Sequence, residues 1–193
     1  MKFNSAVALV LLIETFCILL GIINYGWTLD GLQALTRYSG RASLALFSLI
    51  FLFHNNKAVD IRRVMSDSFF LIFAIAHGIH LFELLSFAYF SGAQPVLYRV
   101  AGGILAYAMI FVMPWVQTLH DRQKLTDKRF NQLTLVYLYY VWFIFFMTYL
   151  PRVRGEMPNV GGSYKEFVIL LGWVSIMMGI KWSQLLAKPR VRR

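Results

Sequence analysis

Apolar residues fill six long stretches of the chain, and short polar segments separate them. The stretches cover residues 6–25, about 35–54, 69–90, 95–115, 130–150 and 164–182. Each approaches the roughly 20 residues that a helix needs to cross a hydrocarbon layer about 30 Å thick. The pattern predicts an all-α, polytopic membrane protein: one six-helix bundle over residues 1–193, with no linker dividing it. Arg37 and Arg41 fall in the first turns of the second stretch, which predicts an interfacial helix over about 32–38 ahead of the span. The first stretch reads as a retained helix and not as a signal peptide. Its apolar run is long, and Gly21-Ile22-Ile23-Asn24 offers no small-x-small cleavage site.

Composition narrows the class. The chain is 59% hydrophobic, 17% aromatic and only 15% charged, far below the charge of a soluble domain. The formal net charge of +10 would suit nucleic acid if it were clustered, but it is spread over the segments between spans, where it acts as a topology signal. With both termini cytoplasmic, the inner segments hold Lys2, Lys57, Arg62, Arg63, Arg122, Lys124, Lys128, Arg129, Lys188, Arg190, Arg192 and Arg193. The outer segments hold half as many: Arg37, Arg41, Arg99, Arg152, Arg154 and Lys165. The positive-inside rule selects that orientation, in a bacterial inner membrane, with the basic C-terminus beside anionic lipid. The single cysteine, Cys17, excludes an intrachain disulfide and a CxxC redox pair. No phosphate-binding glycine motif is present, so any electron donor is another protein or a membrane quinone.

Ionisable residues at bilayer depth are costly and mark sites by default. His77, His80 and Glu83 follow one another at three-residue spacing inside the third stretch. At about 1.5 Å per residue they lie roughly 12, 16 and 21 Å from its inner end. Imidazole is a common axial ligand for haem iron. It serves equally in a proton relay, in a quinone site, or as neutral glue between helices. Gly78 would let a flat ring or another helix approach beside His77. Glu83 needs a cation or a proton, and Arg99 and Arg41 are its candidate partners. Glu14 shares the depth of His77 and could orient that imidazole, or bond a backbone carbonyl as a neutral acid. His54 and His120 mark the inner ends of two spans. The aromatic run at 137–146, YLYYVWFIFF, could line a flat cofactor or simply pack the core.

The order of several motifs resembles the ferric reductase-like transmembrane domain, a haem-binding six-helix unit that is also seen in the membrane subunit of the bacterial methionine sulfoxide reductase system. The motifs are Thr36-Arg37-Tyr38-Ser39-Gly40-Arg41-Ala42, the inner Arg62-Arg63, Ala74-Ile75-Ala76-His77-Gly78-Ile79-His80-Leu81, the basic segment 121–129, and Thr148-Tyr149-Leu150-Pro151-Arg152. The resemblance implies haem b held between the third and fifth spans by histidines on both. His77 or His80 answers to the third-span position, with Glu14, Glu83, Arg99 and Arg41 around it. The fifth span, 130–150, contains no histidine. One haem with a single histidine is then expected, with Tyr140, Met109 or Met113 as conceivable second ligands, or no haem at all. Two functions follow. One is a b-type electron-transfer component acting on a membrane or periplasmic protein partner. The other is a non-catalytic accessory subunit that binds a partner protein, lipid or quinone.

Overall fold

The computed structural model describes residues 2–54, 60–92, 97–156 and 161–186, without the side chains of 97–99 and 185. Every regular element among them is an α-helix: α1 Phe3–Tyr25, α2 Leu29–Phe53, α3 Ile61–Val64, α4 Phe69–Ser91, α5 Leu97–Asp121, α6 Asp127–Val153 and α7 Tyr164–Leu186. Lys57, Pro95, Lys188, Arg190, Arg192 and Arg193, all used in the sequence reading, lie outside the described residues.

The helices outrun the apolar stretches, because caps and not hydropathy set their ends. At the start of α2, Thr28 Oγ1 accepts a hydrogen bond from the Gly31 N–H at 3.1 Å, and Asp30 occupies the first turn. Both features favour a helix N-terminus. The expected interfacial helix over 32–38 is therefore the first part of one continuous 25-residue helix. The short α3 is capped by Asp60, whose carboxylate accepts from the Arg62 N–H at 3.0 Å. Four residues are too few to show a hydrophobic period, so the sequence reading missed it.

Five of the long helices, α1, α4, α5, α6 and α7, are long and apolar enough to cross a membrane. Large apolar side chains face outward from them, among them Leu12, Phe16, Phe82, Trp115 and Ile169. That much exposed apolar surface suits lipid and not water. The fold is an all-α bundle with the make-up of a multi-pass membrane protein.

The remaining long helix, α2, is the polar one, and its place explains why. It packs against α1, α4, α6 and α7, while α1, α4, α5, α6 and α7 contact one another in sequence around it. A helix wrapped in protein can carry polar residues wherever neighbours meet them. Thr36, Ser39, Ser43 and Ser48 are all buried on it. Phe47, fully buried, anchors the centre, with ring centroids of Phe51, Phe73 and Phe145 at 5.3–5.7 Å. The C-terminus of α2 is held by Lys181 on α7, whose ammonium donates to the carbonyls of Phe51 at 2.7 Å and His54 at 3.1 Å. Lys181 thus points into the bundle to close a helix end.

Candidate functional site

Three helices present stripes at helical spacing to a common cavity of about 340 Å³. Gln33, Thr36, Arg37, Gly40 and Arg41 come from α2, and His77, His80, Leu84 and Phe87 from α4. Val141, Ile144, Phe145, Thr148, Tyr149 and Arg152 come from α6. Spacings of three and four residues keep each set on one helix face. From α5, Tyr107 and Ile110 complete the wall, and Phe167 of α7 closes one corner. The volume lies at the small end of the range for organic ligands.

The two ends of the cavity differ in chemistry. At the end where α2 begins and α6 finishes, three guanidinium groups converge. Arg41 donates to the Gly161 carbonyl at 2.7 Å and lies 3.9 Å from the Glu166 carboxylate. Its cation also sits over the rings of Tyr38 and Phe167, and Arg152 approaches Phe167 as well, at 5.7 Å. Arg152 is further fixed by donating to the Thr148 carbonyl one turn back. Arg37 packs its chain beside Gly161, where the φ of +72° favours glycine and a methyl group would fall 2.7 Å from Ala34 Cα. Arg41 and Arg152 are held by carbonyl groups, so with Arg37 they concentrate positive charge at one end of an apolar chamber.

At the deep end lie the imidazoles. His77 is stacked between Phe73 and Tyr107, with centroids at 5.3 and 4.8 Å and planes within 30°. Phe145 meets it edge-on. Both faces of the ring are covered, so it has only an edge to offer the cavity. The His80 ring stands 5.3 Å from that of His77 and leans on α2 at Gly40, beside the Thr36 backbone. A methyl group at position 40 would fall 3.0 Å from His80 Cε1, so glycine makes room for the ring. The Nδ1 atoms of both histidines are enclosed and have no hydrogen-bond partner. Buried ring nitrogens are normally satisfied, so these two are open to a ligand, as are His54 Nε2 and His120 Nδ1 at a second pocket.

Several expectations change. Arg41 faces Gly161 and Glu166, so it is not the partner of Glu83, whose two oxygens have no hydrogen bond. The Arg99 side chain lies outside the described residues. Glu14 does not orient His77, whose Nδ1 has no hydrogen-bond partner, and it does not line the cavity. Gly78 faces Phe111 of α5 and not the cavity. Tyr140 donates to the Gly102 carbonyl at 3.1 Å and Trp142 to the Val174 carbonyl at 2.8 Å, so much of the aromatic run ties helices together. Met109 and Met113 pack in the core and do not line the cavity. No second axial ligand comes from these residues. Sequence reasoning missed Tyr107, Tyr149, Gly40, and the roles of Arg37 and Arg152 as cavity residues. The three- and four-residue spacing of Thr36, Arg37, Gly40 and Arg41 was the signal that could have found the α2 face.

Among the described residues, no group of three or more His, Cys, Asp or Glu side chains is placed to hold a bare metal ion. A macrocycle that brings its own equatorial ligands needs only one imidazole. Such a group would meet here an apolar chamber of about 340 Å³, the imidazoles of His77 and His80, and the guanidinium groups of Arg37, Arg41 and Arg152. Compared with known proteins, the chain matches no family model, no curated protein and no solved structure.

Proposed function

We propose that the chain is a ferric reductase-like membrane protein that holds one b-type haem in this cavity and passes electrons within a bacterial inner membrane. The observation that supports the reading is the meeting, on one cavity, of two imidazoles with unpaired Nδ1 atoms and the guanidinium groups of Arg37, Arg41 and Arg152. In this reading the His77 imidazole would hold the haem iron. Its ring is clamped by Phe73 and Tyr107 and offers an edge, while His80 leans against α2. The guanidinium groups receive the propionate carboxylates by charge-assisted hydrogen bonds. Bound haem supplies one-electron chemistry; the chain supplies ligation, a dry apolar wall and fixed positive charge that favours the reduced state. Helix α2 counts as the sixth span, enclosed by the others, and the charge asymmetry places both termini in the cytoplasm. The reductant is a quinone or another protein, and the acceptor a membrane or periplasmic partner.

The absence of histidine from residues 130–150 favours a second reading, an accessory subunit whose cavity takes a quinone or an anionic lipid. Absorption spectroscopy of detergent-purified protein made with haem available separates the two. The proposal expects a reducible Soret band at about one haem per chain. Folded protein with no haem would refute it and leave the accessory reading.

A further inference from the structure

Asp60, Asp121 and Asp127 gather where α2 and α5 end and α6 begins. Asp60 caps α3 by accepting from the Arg62 N–H at 3.0 Å, and its other oxygen lies 3.7 Å from Arg63. Asp121 ends α5, 3.7 Å from the Arg62 guanidinium. Asp127 stands in the first turn of α6, where the helix dipole favours a carboxylate, and meets His120 Nε2 at 2.9 Å. These three carboxylates meet two guanidinium groups, so one negative charge is left over. Asp127, whose contact is an imidazole, has a side chain 91% exposed and therefore open to a further partner. A carboxylate only accepts, so the 2.9 Å contact places a hydrogen on His120 Nε2. In the neutral ring Nδ1 is then an acceptor. It has no hydrogen bond, and Asp121 Oδ1 stands 3.8 Å away.

Asp60, His120 and Asp127 line a pocket of about 360 Å³ that shares no lining residue with the cavity of His77 and His80. Phe53, Phe69 and Phe130 give it an apolar wall. His54 lines it too: the residue is 7% exposed, and its enclosed Nε2 has no hydrogen bond. The guanidinium in the lining, Arg62, already pairs with Asp121. What remains is a set of acceptors beside aromatic rings, whose faces attract cations. We propose that this pocket binds a small organic cation: an amidinium, guanidinium or primary ammonium group carried on an apolar ring. Its N–H groups donate to Asp127 and to His120 Nδ1 by charge-assisted bonds, and its ring packs among the phenylalanines. A bare metal ion is not the ligand, because His, Cys, Asp and Glu are not placed among the described residues to hold one. An anion is disfavoured by the two carboxylates. The pocket stands apart from the proposed haem cavity, so the proposal holds or fails independently of haem.

The experiment is isothermal titration calorimetry of the full chain in a non-ionic detergent at slightly alkaline pH. The probe is benzamidine, beside benzamide and benzoate, its neutral and anionic counterparts of nearly the same shape. The expected result is saturable binding of benzamidine at a single site, benzamide weaker by about tenfold or more, and no binding of benzoate. Asp127→Asn should weaken benzamidine about tenfold, the loss of one charge-assisted bond. Asp30→Asn, in the first turn of α2 and outside the pocket, should leave it unchanged. If a variant fails to fold, the three probes on the wild-type chain decide by themselves. No saturable benzamidine binding, or equal affinity for benzamide, would overturn the proposal. So would a preference for benzoate, which would mark the pocket as basic. Equal weakening by Asp30→Asn and Asp127→Asn would overturn it in favour of general charge attraction.

Discussion

At one end of the bundle His77 and His80 line the cavity that three arginines guard; at the other, His54 and His120 line a second pocket of about 360 Å³. At the second pocket, His120 pairs with another side chain. His120 Nε2 meets Asp127 Oδ1 at 2.9 Å, and its ring stacks on Phe130 with centroids 4.1 Å apart. Asp121, which lies near both His120 and Arg62, ties α3 to the end of α5. The His54 ring packs among Phe69, Phe70 and Phe130, and its carbonyl accepts from Lys181. His77 and His80 have aromatic neighbours and unpaired Nδ1 atoms, and His54 Nε2 and His120 Nδ1 are likewise without a hydrogen bond. The two pockets thus differ in their charge more than in their histidines: arginines meet the first, while Asp60 and Asp127 stand with Arg62 at the second.

The contrast can be broken by substitution. The largest effect is expected from His77→Ala, which should remove the haem band, whereas His54→Ala should keep it; haem content of the purified variants decides. Next comes Lys181→Met, which strands two carbonyls at the end of α2. At about 1–3 kcal/mol per buried unsatisfied group, the melting temperature in detergent should fall by several degrees while the spectrum stays unchanged. Arg152→Gln should weaken retention of the anionic ligand about tenfold, as expected when one charge-assisted bond worth about 1.5 kcal/mol is lost. A titration of apoprotein with haem measures it. Gly40→Ala should push the His80 ring by a few tenths of an ångström and cost about 1 kcal/mol, visible as a modest fall in melting temperature. The smallest change is expected for His120→Asn, below about 1 kcal/mol, because its Asp127 partner is exposed.

The sequence made the helices legible because lipid-facing surfaces write long apolar runs. It read α2 least well, and the reason lies in packing: a helix enclosed by others needs no apolar exterior, so Thr36, Ser39, Ser43 and Ser48 diluted the signal. His77 and His80 were visible as costly residues at depth. Their arginine counterparts were not, since Arg37 and Arg152 looked like ordinary charges near span ends. Only the three-dimensional meeting of α2 with α6 brings them to one mouth.

The most direct test of the central claim is imidazole rescue of His77→Gly, followed by its absorption spectrum. If the His77 ring ligates haem iron in this cavity, the variant should lack the wild-type band and added imidazole should restore it. A variant that keeps a wild-type band without imidazole would contradict the account.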